Sequence, residues 1–71
     1  MKRVAVTSSS LRALGYDPDA KALEVEFHNG SQYRYEQVPA EVVQALLQAD
    51  SLGRYFNQVF KAQQYPYRRI D

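Results

Sequence analysis

The residues of this chain with chemistry to offer are tyrosines set beside arginines. Tyr33 and Tyr35 flank Arg34, and Tyr65 and Tyr67 lead into Arg68 and Arg69. Arg54, Asn57 and Lys61 fall between the two groups. Aromatic faces stack on unstacked bases, and guanidinium and ammonium groups contact phosphates. These ten residues are therefore the candidate nucleic-acid-binding set. Each also has a structural reading. Tyr33 and Tyr35 can pack as core across a strand pair, with the hydroxyls left wet. Tyr65 and Tyr67 can fold back onto a sheet, and Asn57 can bond a loop backbone.

Catalysis finds little support. Ser8, Ser9 and Ser10 invite a nucleophile reading, but the one histidine, His28, falls in a hairpin loop, and no nucleophile-elbow motif surrounds the serines. With no cysteine there is no thiolate, disulfide or zinc staple. Asp17-Pro18-Asp19 lacks the remaining ligands of a calcium loop. The expectation is a protein that is not an enzyme and holds no metal or cofactor. Gly53, at a helix start, permits close approach of either a strand or an anion.

A chain of 71 residues is one domain at most, here taken as residues 1–71. Its 45% hydrophobic and 13% aromatic content suffices for a folded core. A core of this size yields only about 3–5 kcal/mol. Charge is uneven although the net is +1. Lys2, Arg3 and Arg12 make residues 1–16 basic, and seven acids against Lys21 and Arg34 make residues 17–50 acidic. Arg54, Lys61, Arg68 and Arg69 against Asp71 make the end basic again. The two basic ends form a phosphate-binding patch only if the fold brings them together. No stretch approaches a membrane span or a signal peptide, so a cytoplasmic protein is expected.

The elements that must position these side chains follow from periodicity. Residues 1–8 read as a loosely ordered start, although Val4 and Val6 alternate and could extend a strand. A strand from about Leu11 to Tyr16 turns at Asp17-Pro18-Asp19 into a second, in which Leu23, Val25 and Phe27 alternate with Glu24 and Glu26. The turn at Asn29-Gly30 sets the register of the third. A two-residue loop pairs Tyr33 and Tyr35 with Glu26 and Glu24. A three-residue loop, His28-Asn29-Gly30, pairs them with Val25 and Leu23 and sets Glu24 against Arg34. Matching apolar with apolar favours the second. Val38-Pro39 starts a helix carrying Val42, Val43, Leu46 and Leu47. Asp50 or Ser51 caps another, striped with Leu52, Tyr55, Phe56, Val59 and Phe60. Pro66 stops it, leaving residues 65–71 as an extended tail. The expected fold is α+β: a three-stranded antiparallel β-meander followed by two α-helices packed on one face, β-β-β-α-α.

The chain resembles the KTSC domain, named for the C-terminal extension of some lysyl-tRNA synthetases and also found as small stand-alone bacterial proteins. The resemblance rests on Ser9-Ser10, Gly15-Tyr16-Asp17, Leu23-Glu24-Val25-Glu26-Phe27, and Gly30 followed by Tyr33-Arg34-Tyr35. It continues through Val38-Pro39, Ala49-Asp50-Ser51 before Gly53, Tyr55-Phe56-Asn57 and Tyr65-Pro66-Tyr67, covering about residues 8–69. Tyr33 and Tyr35 occupy the family's Tyr-x-Tyr signature. The resemblance implies a non-catalytic accessory module, with RNA, as tRNA or a single strand, as the suggested partner. The alternative is a protein-interaction module that self-associates through an open sheet face or an edge strand.

Overall fold

The computed structural model describes residues 3–70. Five antiparallel strands lie side by side in chain order: β1 (Arg3–Ala5), β2 (Leu11–Asp17), β3 (Ala22–Phe27), β4 (Gln32–Tyr35) and β5 (Tyr67–Arg69). Between β4 and β5 come two helices, α1 (Ala40–Gln48) and α2 (Leu52–Tyr55). The second continues directly into a π-helical turn, Phe56–Phe60, and a 3-10 turn, Lys61–Gln63. The class is α+β with an antiparallel sheet.

The expected three-stranded meander forms only the centre of this sheet. The start is not loose at Arg3–Ala5, which pair with Gly15, Leu14 and Ala13 of β2. The end is extended at Tyr67–Arg69, as expected, and it pairs as a further strand with Tyr35, Arg34 and Tyr33 of β4. A bare meander leaves a row of unpaired N–H and C=O groups along each edge, and the two short strands satisfy both rows. Glu36 N–H to Pro66 O and Ile70 N–H to Gln32 O extend the second ladder by a bond at each end. Lys2 and Asp71, counted in the charge pattern, lie outside the described residues.

The hairpin between β3 and β4 uses the three-residue loop. Phe27 N–H bonds Ser31 O, Gly30 N–H bonds Phe27 O, and Gly30 sits at φ +91°, a conformation open to glycine at little cost. The Asn29 side chain accepts from Ser31 N–H at 2.9 Å. Val25 consequently faces Tyr33, and Leu23 faces Tyr35. In β2 the register slips between Leu11 and Ala13. This bulge turns Arg12 toward Glu26 while Leu11 and Leu14, out of phase in a regular strand, both reach the core.

Helices and sheet meet on one face. Leu11, Leu23, Val25, Val38, Leu46, Phe56 and Phe60 are sealed between them. Ser51 caps α2 by accepting the Arg54 N–H at 3.3 Å. The group that approaches Gly53 is the chain before β2: a Cβ there would lie 3.0 Å from Ser8 Oγ. In the π-helical turn Lys61 N–H reaches back to Phe56 O. The wider turn stacks Phe56 and Phe60 at 4.9 Å and rotates Val59, expected in the buried stripe, out to solvent. Among the described residues no helix is long and apolar enough to cross a membrane.

Candidate functional site

The register separates the candidate residues onto the two faces of the sheet, because paired residues share a face and neighbours alternate. Arg34 and its partner Arg68 lie on the open face with Arg3, Glu24 and Glu26. Glu24 accepts from Arg3 at 2.9 Å and from Arg34 at 3.2 Å, and Arg34 also bonds Glu36 at 3.1 Å. Arg3 and Arg12 both approach Glu26. The bond from Arg3, then its charge and those of Arg34, hold the Glu24 carboxyl below the ordinary carboxylate range against the opposing effect of burial. Glu36 and then Glu24 raise Arg34. The open face is therefore a lattice of satisfied ion pairs. Arg34 is committed within it, on the far side from the tyrosines it adjoins in sequence.

The two basic ends of the chain do not meet as one patch. They form opposite edges of the sheet, four strand spacings or roughly 19 Å apart. Arg54 and Asn57 are exposed on the second helical segment. The remaining candidates behave differently. Tyr33, Tyr35, Tyr65, Tyr67 and Lys61 come together on the helix side of the sheet.

There they line a cleft of about 560 Å³ that opens to solvent, with Phe27 and Phe60 as further aromatic wall and Asn29, Ser31 and Gln64 at its polar margin. The aromatic rings are in continuous contact. Phe27 meets Tyr33 at 5.7 Å, Tyr33 meets Tyr67 at 6.0 Å, and Tyr67 meets Tyr35 at 5.3 Å. Tyr35 meets Phe56 at 5.8 Å, and Phe56 closes the circuit onto Phe27 at 5.8 Å. Phe60 joins Tyr35 edge-on at 4.9 Å and carries Tyr65 at 5.0 Å. All three phenylalanines and four of the six tyrosines belong to this cluster.

Three elements bring these rings together. The β3–β4 register sets Tyr33 and Tyr35 on the covered face. The π-helical turn supplies Phe56 and Phe60. Gln64, in the left-handed region at φ 56°, ends the helical segment so that Tyr65-Pro66 turns back along the sheet and lays Tyr67 beside β4. Arg69, across from Tyr33, shares that side by register.

The phenols give the cleft its polarity. Tyr35 is buried yet its hydroxyl makes no hydrogen bond within the chain, and no buried side-chain polar atom among the described residues lacks a partner. The hydroxyl therefore reaches the cleft. Burial first, then the neighbouring phenols of Tyr67 and Tyr33, push Tyr35 up to about 12, so it stays protonated as a donor. Tyr16 shows the contrast. It donates to Val38 O at 2.6 Å and serves the fold. Among the described residues no carboxylate lines the cleft, and the cation in its lining is Lys61, whose Nζ lies 5.6 Å from the Phe56 ring centre. Among the described residues Lys61 makes no ion pair. His28 and Ser8 meet, but through His28 Nε2 and the Ser8 carbonyl at 2.7 Å. Ser8 Oγ is occupied accepting from Ser10 and Leu11 N–H. No cluster able to hold a metal ion is present among the described residues.

Comparison with known proteins decides the family. The family model of the KTSC domain matches residues 7–65. The chain belongs to the KTSC family. A KTSC domain protein from Yersinia pestis, known from its crystal structure, superposes with a TM-score of 0.89 at 38% identity, over 99% of this chain and 97% of that one. A protein of Stutzerimonas stutzeri is 73% identical over the full length of both chains. A lysine–tRNA ligase of Nostoc sp. is 40% identical over 55 residues, 78% of this chain and 10% of the ligase. The KTSC match takes in Tyr33, Tyr35, Lys61 and Tyr65, while β1 and β5, with Tyr67, fall outside it.

Sequence reasoning did not place Phe27, Phe60, Asn29, Ser31 or Gln64 in the site. Phe27 and Phe60 read as core by periodicity, and they are core on one side and cleft wall on the other. A three-residue β5 gives too short a pattern to be recognised as a strand.

Proposed function

We propose that this KTSC protein is a non-catalytic RNA-binding module and that the aromatic cleft beside β4 and β5 is its binding surface. The observation that carries this reading is a tyrosine-lined cleft that offers ring faces, unpartnered hydroxyls and, among the described lining residues, one cation and no carboxylate. Unpaired bases stack on such rings, at about 1–3 kcal/mol per base, and the phenols and Asn29 offer bonds to base edges. A volume of about 560 Å³ falls within the usual range for ligand sites. Kinship with a segment of a lysine–tRNA ligase, an enzyme that by its name acts on tRNA, fits an add-on module, and the location we propose is the cytoplasm. The site uses Tyr33, Tyr35, Lys61, Tyr65 and Tyr67. Arg34 and Arg68 on the opposite face, and Arg54 and Asn57 on the helix, stand outside it.

Titrating labelled protein with single-stranded RNA and then tRNA, while following backbone amide shifts, tests the reading. Shifts should cluster on residues 27–35 and 60–69. Absence of shifts at low salt with RNA in excess would dismiss it.

A second reading has its own observation. Val4 and Leu47 are exposed beside an apolar groove of about 210 Å³ formed with Leu14, Leu23 and Val43. Self-association there, rather than through the ion-paired open face, would appear as concentration-dependent sedimentation insensitive to salt.

A further inference from the structure

Resting on the RNA reading, we infer that the cleft accepts a single nucleotide, splayed out of its strand, and that a free nucleoside monophosphate suffices to fill it. Proteins that bind single strands without regard to length run a positively charged groove along the phosphates. This chain builds no such groove. Its cations are scattered over separate surfaces: Arg3, Arg12, Arg34 and Arg68 on the open face, Arg54 on the helix, and Arg69 on the cleft side of β5 by register but outside the cleft lining. Lys61 is the one cation lining the cleft. The cleft's rings are not set in a row either. Tyr33 meets Phe27 and Tyr67 edge to face, at 81° and 70°. Successive bases require exposed faces in a row, which this wall does not offer.

The chemistry of the lining also selects against other occupants of an aromatic pocket. A quaternary ammonium group is held by aromatic rings. Here Lys61 would repel it, and among the described residues no carboxylate lines the cleft to offset that repulsion. A planar base with an attached phosphate matches both halves: rings and phenol donors for the base, the Lys61 ammonium for the phosphate.

One phosphate contact makes a quantitative signature. For single strands, log K falls against log salt with a slope of about −0.7 per phosphate neutralised. A single contact therefore weakens binding only about 2.5-fold for a fourfold rise in salt, whereas four contacts weaken it about fifty-fold. The experiment titrates the intact protein with AMP, GMP, CMP and UMP and with single-stranded decamers of each base, at low and at fourfold higher salt, reading amide shifts. The expected result is that at least one monophosphate shifts the same cleft residues as its decamer, with the shallow salt dependence. Tyr67→Ala and Lys61→Gln, both at exposed positions, should each weaken monophosphate binding at least fivefold, and Arg54→Gln should leave it unchanged.

Decamers that bind with a steep salt dependence while no monophosphate binds would overturn the single-nucleotide inference and leave the RNA reading standing. If neither class binds, both fall together. Monophosphate shifts that survive Tyr67→Ala and Lys61→Gln unaltered would place the nucleotide elsewhere and refute the inference.

Discussion

Tyr35 offers the sharpest test, because the structure separates the worth of its ring from the worth of its hydroxyl. The ring is 7% exposed and touches Phe56, Phe60 and Tyr67. Truncating a buried aromatic to alanine costs about 3–5 kcal/mol. That equals the whole stability expected of a domain this small, so Tyr35→Ala should simply unfold. Among the described residues the hydroxyl has no hydrogen bond to lose. Tyr35→Phe should therefore change stability near neutral pH by less than about 0.5 kcal/mol, while weakening the RNA binding proposed for the cleft.

The same substitution has an alkaline consequence. Tyr35 sits at about 12 in the folded protein against 10.0 for an unperturbed tyrosine. Between those values the unfolded chain has released a proton that the folded chain keeps. The folded state binds more protons, so stability falls as pH rises through this window and is fully present below it. The loss is at most about 2–3 kcal/mol, and access of the hydroxyl to the cleft reduces it. Tyr16 is raised too, by burial first and then by Asp17 and Glu41, and contributes to the wild-type decline. The comparison with Tyr35→Phe subtracts that contribution. Urea unfolding followed by far-ultraviolet circular dichroism at steps from neutral pH to pH 11.5 would measure both chains. Tyr35→Phe should overtake the wild type above about pH 10. Parallel decline of the two would show that the Tyr35 hydroxyl ionises normally, and the picture of a desolvated donor in the cleft would be wrong.

Two further predictions concern the scaffold. Gly53→Ala should destabilise by about 1 kcal/mol, against the gain of about 1 kcal/mol usual for glycine to alanine in a helix, because the new Cβ meets Ser8 Oγ at 3.0 Å. In a Ser8→Ala background the same change should become neutral or stabilising, and a double-mutant cycle by urea melts that shows no coupling would contradict the contact. Glu24→Gln should cost about 1 kcal/mol near neutral pH and flatten the acid limb. The lowered Glu24 carboxyl contributes stability above the unfolded carboxylate range that is lost as pH falls through its folded value, and an acid unfolding curve unchanged by the substitution would remove Glu24 from that account.

How far the sequence foretold this arrangement depends on the kind of signal each element left. The β3–β4 register was legible because one residue of slip would have set two tyrosines against two glutamates, and apolar matching resolves that choice. The Glu24–Arg34 pair followed from the same register. β1 and β5 were legible only as a Val4 and Val6 alternation and an extended tail, since three residues cannot show a period; their pairing follows from the unsatisfied edges of the neighbouring strands. The π-helical turn was hidden for a different reason. The spacing of Leu52, Tyr55, Phe56, Val59 and Phe60 fits a regular helix equally well, and the wider turn emerges from packing Phe56 and Phe60 together against Tyr35. Two of the ten candidate residues are set apart from the cleft by alternation once β5 is known. Arg34 and Arg68 must face away from Tyr33, Tyr35 and Tyr67.

The cleft and the apolar groove lie at opposite margins of the covered face and have opposite chemistry. At the β1 margin the exposed surface is aliphatic, Val4 and Leu47, and the nearby Tyr16 hydroxyl is spent on Val38. Exposed aliphatic groups of that extent are ordinary on small proteins. At the β5 margin the chain has instead assembled most of its aromatic residues, left the Tyr35 hydroxyl without an internal partner, and kept carboxylates out of the lining. Packing alone would be served by phenylalanine in place of Tyr35, whose hydroxyl costs desolvation and gains no bond within the fold. The polar handles at this margin are the reason to assign binding there rather than to the groove.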